Sequence, residues 1–247
     1  MRISRLLLER SLEIGHELVL DADLAHYARN VLRIKSGQQL RLFDGTTPVD
    51  YDARVTLDDK QVRLRIEASI AKKTDPDLDV WVVQGLGRSE HNDFVVQKSC
   101  ELGASQIVFF NAQHTQAPLK AGRIDRKLTH WKGIARAACA QSNRNRLPRV
   151  SWVGSLREHL ESSTNNIRGG VVLTFDARPI AEACQSLDPA RSCSLIIGPE
   201  GGLSKSELEL ALDHGYLAAS LGPRVLRMET AALSGLTLLQ HYLGDLV

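Results

Sequence analysis

Two glycine-rich segments near the carboxyl end of the chain constrain its fold more than any other feature. Residues 195–203 read Leu-Ile-Ile-Gly-Pro-Glu-Gly-Gly-Leu, and residues 221–231 read Leu-Gly-Pro-Arg-Val-Leu-Arg-Met-Glu-Thr-Ala. Each segment follows a short apolar run and precedes a helical pattern, which predicts a loop at the carboxyl end of a strand. Ligands bind at that edge of a parallel α/β sheet, and glycines let the backbone approach them closely. The first segment alone could be a tight turn, but the pair predicts a binding site.

Apolar runs alternate with amphipathic segments through the rest of the second part of the chain. Strands are predicted at 79–84, 106–110, 149–153, 170–175, 192–197 and 217–221. Helices are predicted at about 91–102, 123–141, 155–163, 179–187, 204–214 and 230–243. This alternation indicates an α/β fold with a mainly parallel sheet and helices on both of its faces. The last predicted helix is apolar around more than one stripe, which favours a partner surface.

The first part of the chain has a different pattern. Residues 61–70 alternate apolar and polar side chains, as a half-buried strand does. The polar, proline-containing stretch Lys72–Asp77 separates this β-rich region from the α/β region. We therefore predict two domains, at residues 1–73 and 74–247.

Four segments together resemble the SPOUT (α/β-knot) methyltransferases, and most closely the ribosomal RNA small subunit methyltransferase E family, which methylates N3 of a uridine in 16S ribosomal RNA. They are 94–103 (FVVQKSCELG), 141–148 (QSNRNRLP), 197–203 (IGPEGGL) and 221–231 (LGPRVLRMETA). The resemblance implies an RNA-binding PUA-like β-barrel over residues 1–73. It also implies a SPOUT domain over residues 74–247 whose deep C-terminal trefoil knot binds S-adenosylmethionine and forms a homodimer.

The resemblance assigns most of the cofactor site to the two glycine-rich loops and to the end of the strand at 170–175. The residues expected to bind S-adenosylmethionine are Leu173, Thr174, Phe175, Ile197, Gly198, Pro199, Glu200, Gly201, Gly202, Leu221, Gly222, Arg224, Val225, Leu226, Thr230 and Ala231.

Methylation of uridine N3 requires stabilisation of negative charge on O2 and O4 of the base, a task that suits the guanidinium of an arginine. Arg227 is the first candidate and Arg88 the second, although Arg227 could instead pair with Glu229. Neither the resemblance nor the residues identify a general base. The residues expected to contact RNA or the target base are Arg2, Arg5, Gln97, Lys98, Glu101, Gln141, Arg144 and Arg146. Gln97 and Glu101 could equally form an ordinary polar face of a helix.

Charge is distributed unevenly along the chain. Residues 120–149 contain nine Lys and Arg residues and one acidic residue, Asp125, within a chain whose net charge is +2. A solvated helix face is one explanation, but a nearly acid-free block of this size favours contact with a polyanion, here ribosomal RNA.

Several other functions lack their sequence signals. The chain has no P-loop, no dinucleotide-binding fingerprint and no metal-binding His-Glu-x-x-His motif. The four cysteines and eight histidines show no metal or catalytic spacing, so we expect buried cysteines, solvated or core histidines and no metal. No apolar run is long enough to span a membrane and no signal peptide is visible, so we expect a cytoplasmic protein. Two alternatives remain: methylation of a ribose 2′-OH or a tRNA base, and a non-catalytic RNA-binding factor in ribosome assembly.

Overall fold

The computed structural model describes residues 3–58, 61–162, 169–188 and 192–246. The chain forms two compact units, the first made of Met1–Asp75 with Cys139–Leu147 and the second of Pro76–Ala138 with Pro148–Val247. Residues 139–147 were expected in the second domain, whereas they pack with the first unit.

The first unit is built on a mixed sheet of five strands. In chain order its elements are β1 (Arg5–Leu7), β2 (Glu17–Val19), α1 (Ala22–Asn30), β3 (Gln39–Phe43), β4 (Val49–Leu57) and β5 (Val62–Ala71). The strand order is β1-β3-β4-β5-β2, and among these described strands only the β1–β3 pair is parallel. Asp21 caps α1 by accepting a hydrogen bond from the amide of Leu24 at 2.8 Å.

The alternation predicted for residues 61–70 holds only in the first half of β5. Val62, Leu64 and Ile66 are buried in the core of the first unit. A β-bulge then interrupts the pairing of β5 with β4: Ala53 lies opposite Ile66, and the preceding residue of β4 lies opposite Ala68. One extra residue in a strand reverses the face of every side chain beyond it. Ile70, predicted on the buried face, is consequently 37% exposed.

The second unit contains a six-stranded sheet in which every neighbouring pair is parallel. Its strands are β6 (Val80–Gly85), β7 (Gln106–Phe110), β8 (Arg149–Val153), β9 (Gly170–Leu173), β10 (Cys193–Ile197) and β11 (Tyr216–Ala219). The strand order is β11-β9-β10-β6-β7-β8. The chain thus builds β6, β7 and β8 outward in one direction and then crosses to the other side of β6, which creates a switch point between β6 and β10.

Helices cover both faces of this sheet. They are α2 (Ser89–Glu101), α3 (Ile124–Ser142, preceded by a 3-10 turn at Ala121–Arg123), α4 (Leu156–Ser162), α5 (Ile180–Gln185), α6 (Lys205–Asp213) and α7 (Met228–Leu243). In β10, Ile196 packs with residues of α4 and α6, whereas the adjacent Leu195 lies against Gly235 of α7. Neighbouring residues of a strand point to opposite faces, so the predicted layered arrangement is confirmed.

A local sequence signal explains where α6 begins. Ser204 and Glu207 form the capping box expected at the start of α6.

All four cysteines are buried, as the sequence predicted. Among the described residues, no helix combines the length and the apolar character that a membrane span requires.

Candidate active site

A cavity of about 720 Å³ opens at the carboxyl edge of the parallel sheet. Its walls come from the segments that follow β11, β9, β10 and β6, which are consecutive strands in the sheet order. The cavity therefore lies at the switch point, where this kind of sheet leaves a crevice. The lining residues are Arg88, His91, Leu173, Thr174, Phe175, Ile197, Gly198, Pro199, Glu200, Gly201, Gly202, Leu203, Leu208, Leu221, Gly222, Arg224, Val225, Leu226, Arg227, Met228, Glu229 and Ala231.

The loop after β10 folds back tightly on itself, and its backbone favours glycine at two positions. A Cβ atom on Gly198 would lie 2.7 Å from the backbone carbon of Gly202 and from the amide nitrogen of Leu203. Gly202 itself has a φ of 73°, a backbone conformation that residues other than glycine rarely adopt. These glycines give one wall of the cavity a surface made largely of backbone.

A buried glutamine joins three of the cavity's segments. The side-chain amide of Gln84, at the end of β6, donates hydrogen bonds to the carbonyl oxygens of Gly85 at 2.9 Å and of Gly198 at 3.0 Å. It also lies 3.7 Å from the sulfur of Met228, the first residue of α7. Gln84 is fully buried, and its own Oε1 has no hydrogen-bond partner among the described residues. The sequence did not predict this role, because Gln84 is a lone polar position inside an apolar strand.

Two carboxylates and a histidine meet on one side of the cavity. Glu200 Oε1 accepts a hydrogen bond from the backbone N–H of Arg88 at 2.9 Å and lies 3.1 Å from Nδ1 of His91. Burial raises the pKa of Glu200, but the hydrogen bonds from Arg88, from its own backbone and from His91 outweigh burial and leave that pKa below its usual value. Glu229 Oε2 is buried, lies 3.8 Å from Nδ1 of His91 and makes no hydrogen bond within the described part of the chain. His91 thus differs from the expectation that every histidine is solvated or in the core.

Comparison with known proteins identifies the kind of chain that carries this cavity. A family model described as an RNA methyltransferase domain matches residues 74–240, and one described as an RNA methyltransferase PUA domain matches residues 20–67. Ribosomal RNA small subunit methyltransferase E of Mycobacterium bovis is 31% identical, over 89% of this chain and 84% of its own length. The chain belongs to the ribosomal RNA small subunit methyltransferase E family.

Relatives with solved structures match both units. A protein from Legionella pneumophila, described as a methyltransferase and solved with bound S-adenosylmethionine, has a TM-score of 0.91 and 30% identity over 99% of this chain and 100% of its own. The family member from Neisseria gonorrhoeae, bound to S-adenosylmethionine, has a TM-score of 0.89 and 26% identity, with complete coverage of both chains. The family inferred from the four sequence segments is therefore confirmed.

The residues that this family resemblance assigned to the cofactor lie around the one cavity described above, with a single exception. Thr230 is exposed in the first turn of α7 and does not line the cavity. Seven lining residues were not among those assigned to the cofactor: Arg88, His91, Leu203, Leu208, Arg227, Met228 and Glu229. Of these, Arg88 and Arg227 were expected there as catalytic residues, whereas the other five were not anticipated.

The two arginines proposed for catalysis stand at the amino ends of two helices that face the cavity. Arg88 is the N-cap residue of α2 and Arg227 that of α7, and neither side chain caps its own helix. Both side chains are exposed. Across the described ranges, the Arg227 guanidinium makes no hydrogen bond and no ion pair with Glu229, so the alternative of a local pair has no support in the structure.

Two of the arginines expected to contact RNA are instead buried inside the first unit. Arg5 forms a 2.6 Å ion pair with Asp50 and donates further hydrogen bonds to the carbonyl oxygens of Cys139 and Arg144. Arg144 pairs with Asp75 at 2.8 Å. Their exposed fractions are 7% and 5%. Neither guanidinium is available to an RNA phosphate in this structure, and we reassign both to holding residues 139–147 in place.

The remaining residues proposed for RNA contact lie at the surface. Gln141 and Arg146 are exposed in the segment that packs with the first unit, and Gln97 is exposed on α2. Lys98 and Glu101 pair with each other at 2.8 Å, as neighbours on an ordinary helix face do. Arg2 lies outside the described residues.

Proposed function

We propose that this protein transfers a methyl group from S-adenosylmethionine to N3 of a uridine in 16S ribosomal RNA. The observation that carries the proposal is the meeting of two glycine-rich loops, separated in sequence, around one cavity with exposed arginines at its edge. The membership of an rRNA methyltransferase family supplies the substrate class. The choice of N3 rests on the sequence resemblance and on the suitability of two arginines for an anionic base.

The cavity is suited to the cofactor in size and in chemistry. Its volume of about 720 Å³ is in the range of small-molecule sites, roughly 300–1,000 Å³. The backbone wall around Gly198 allows close approach, and isoleucine and leucine side chains provide apolar surface. The buried Oε2 of Glu229 lacks a donor among the described residues. Such an atom normally has a partner, and a cation-bearing ligand offers one. Two relatives of high structural similarity contain S-adenosylmethionine, which supports the same cofactor here.

The roles of the chain's own residues follow from the reaction. When bound, S-adenosylmethionine supplies an electrophilic methyl group on a cationic sulfonium. The uracil base must lose the proton of N3 and hold the resulting negative charge on O2 and O4. Arg227 and Arg88 stabilise this charge, because a guanidinium stays protonated and presents several N–H donors. Gln84 keeps the loops after β6 and β10 in register with the start of α7, so that base and methyl donor meet in a fixed geometry.

RNA is held by surfaces beyond the cavity. The match to a PUA domain supports an RNA-binding role for the first unit, which we propose forms a β-barrel. In the second unit, α3 exposes Arg126, Lys132 and Arg136 on a helix with little acidic charge. We assign these side chains to the phosphates of the ribosomal RNA.

We further propose that the loops after β10 and β11 form a deep trefoil knot and that two copies of the chain associate through it. The support for association is α7, where Tyr242 is 48% exposed and Leu233 and Leu238 are only partly buried. Light scattering at micromolar concentration is expected to give twice the chain mass of 27.3 kDa. A particle of 27.3 kDa would rule out the dimer.

Nucleoside analysis tests the reaction. Purified protein, S-adenosylmethionine and small ribosomal subunits that lack the modification are incubated, and the digested RNA is analysed by mass spectrometry. The proposal predicts a new 3-methyluridine in 16S ribosomal RNA. A 2′-O-methylated nucleoside, or methylation of tRNA only, would favour the alternative methyltransferases. No methylation of any RNA, with RNA binding intact, would favour an assembly factor.

A further inference from the structure

His91 lines the cavity, but the reaction proposed above gives its side chain no role. It lies in the first turn of α2, lines the cavity, and has a side chain that is 22% exposed. Its Nδ1 lies 3.1 Å from Glu200 Oε1 and 3.8 Å from Glu229 Oε2. The histidine therefore stands between two carboxylates from different loops, in a place that solvent and a substrate can both reach.

The hydrogen bond to Glu200 determines which ring nitrogen is basic. A carboxylate accepts hydrogen bonds, so Nδ1 of His91 carries a proton and donates it to Glu200. Glu200 is itself held by the backbone N–H of Arg88 at 2.9 Å. In the neutral ring, Nε2 then carries the free electron pair, and across the described residues it accepts no hydrogen bond. A carboxylate that orients an imidazole in this way is a recurring arrangement for a general base.

Methylation at N3 requires such a base, because the imide nitrogen holds its proton near neutral pH. Imidazole is the side chain whose ordinary pKa, about 6.5, allows it to take up and release a proton in that range. We propose that His91 is a catalytic residue whose Nε2 accepts the N3 proton of the target uridine. This inference rests on the proposed function.

The step balances with the groups already named. The N3–H bond breaks, the proton forms an N–H bond with Nε2 of His91, and the electron pair remains on N3. That pair forms the bond from N3 to the methyl carbon while the carbon–sulfur bond of the sulfonium donor breaks and its pair stays on sulfur. The carboxylates of Glu200 and Glu229 stabilise the imidazolium, and Arg88, Arg224 and Arg227, which line the same cavity, face the anionic base.

The neighbouring acids are weaker choices for this role. Glu200 accepts hydrogen bonds from Arg88 and His91, and its pKa is lowered, which makes it a poorer proton acceptor. Glu229 has only 14% of its side chain exposed, and the oxygen nearest His91 is buried. His114, the next histidine in sequence, does not line the cavity and bonds through Nδ1 to the carbonyl of Gly201.

Two substitutions separate proton transfer from the positioning of Glu200. His91→Asn keeps a donor at the place of Nδ1 but removes Nε2, whereas His91→Gln keeps a polar group near Nε2 but removes the donor to Glu200. We expect both variants to bind S-adenosylmethionine within about threefold of the unmodified protein, measured by calorimetry. Both should lose roughly 10²–10⁴-fold in single-turnover methylation of the small-subunit RNA. His91→Gly should regain part of its lost rate when imidazole is added, but not when sodium chloride is added at the same ionic strength.

His214→Gln is the matched control, because His214 lies outside the cavity and bonds through Nδ1 to the carbonyl oxygen of Leu210 at 2.9 Å. It should retain full activity. If His91→Asn methylates at the unmodified rate while His91→Gln does not, His91 only positions Glu200 and the inference is wrong. A loss of rate in His91→Gly that added imidazole does not restore also contradicts proton transfer to Nε2. If the unmodified protein makes no 3-methyluridine, the proposed function fails first, and that outcome is distinct from either result.

Discussion

The chain has two sets of arginines that its sequence does not distinguish. Arg5 and Arg144, in the first unit, are buried and paired with Asp50 and Asp75. Arg88 and Arg227, in the second unit, have exposed side chains beside the cavity, and each directly precedes a helix that its side chain does not cap. The sequence analysis proposed all four for contact with RNA or with the reacting base.

The difference lies in what surrounds each guanidinium. A buried charge persists only with a partner and hydrogen bonds, and removing the partner leaves an expensive isolated ion. An exposed arginine without a partner contributes little to folding and keeps its donors for a ligand. We therefore infer that Arg5 and Arg144 act on stability, while Arg88 and Arg227 act on the reaction.

The largest expected effect is on stability. Arg5→Ala removes the ion pair that Asp50 makes at 2.6 Å and the hydrogen bonds to two carbonyl oxygens. We expect the free energy of unfolding to fall by about 3–5 kcal/mol, because a buried carboxylate loses its main partner. Urea denaturation measures this change. Arg157→Ala, which breaks an exposed pair with Glu161, is the control and should cost about 0.5 kcal/mol or less. Equal losses in the two variants would remove the distinction between the sets.

The next effect is on turnover. Arg227→Ala should lower the single-turnover methylation rate by about 10²–10³-fold, because it removes a donor that acts mainly on the developing charge. The melting temperature and the affinity for S-adenosylmethionine should stay near those of the unmodified protein. Arg227→Lys keeps a charge without the planar fork and should recover only part of the rate. If Arg227→Ala instead unfolds at lower temperature and methylates normally once folded, Arg227 acts on stability, as Arg5 and Arg144 do.

A smaller effect tests whether the glycine-rich loop beside the exposed arginines binds the cofactor. Gly198→Ala places a Cβ atom 2.7 Å from backbone atoms of Gly202 and Leu203, so the loop must shift. We expect affinity for S-adenosylmethionine to fall by about tenfold, which corresponds to about 1.4 kcal/mol. Gly133→Ala, where an added Cβ meets no atom within 4 Å, should leave that affinity unchanged. Calorimetry on both variants gives the comparison, and unchanged binding by Gly198→Ala would move the cofactor away from this loop.

The smallest effect concerns RNA binding. Arg146 is exposed, in contrast to its neighbour Arg144. Arg146→Glu should reduce the slope of log affinity against log salt by about 0.7–0.9 for each RNA phosphate that Arg146 neutralises. Arg157→Glu, on α4 and outside the basic stretch, should leave the slope unchanged. A slope that responds to neither substitution would place the RNA-binding surface on other residues.

Much of the fold could be predicted from the sequence because its signals are local. Parallel strands that are buried on both faces appear as short apolar runs, and the capping box at Ser204 and Glu207 identifies the start of α6. The glycine-rich loops are likewise recognisable from residues close together in the sequence, such as Gly198 and Gly202. The residues that the family resemblance assigned to the cofactor line one cavity, apart from Thr230, and their contact with the cofactor stays a prediction.

What the sequence did not predict depends on partners that are distant along the chain. Arg5 and Asp50 are 45 residues apart, and Arg144 and Asp75 are 69 apart. His91 and Glu200 are separated by 109 residues. Residue type alone does not indicate whether such groups meet. The bulge in β5 is also invisible to an alternation pattern, since one extra residue changes the exposed face without changing the composition.

The most direct test of the active-site assignment is a crystal structure of the protein with S-adenosylhomocysteine. We predict the ligand between residues 197–203 and 221–228, with the side chains of Arg88 and Arg227 facing the position that the methyl group would occupy. The same electron density would trace the chain through the proposed knot. A ligand bound elsewhere, or Arg88 and Arg227 turned away from it, would contradict the assignment of this cavity as the active site.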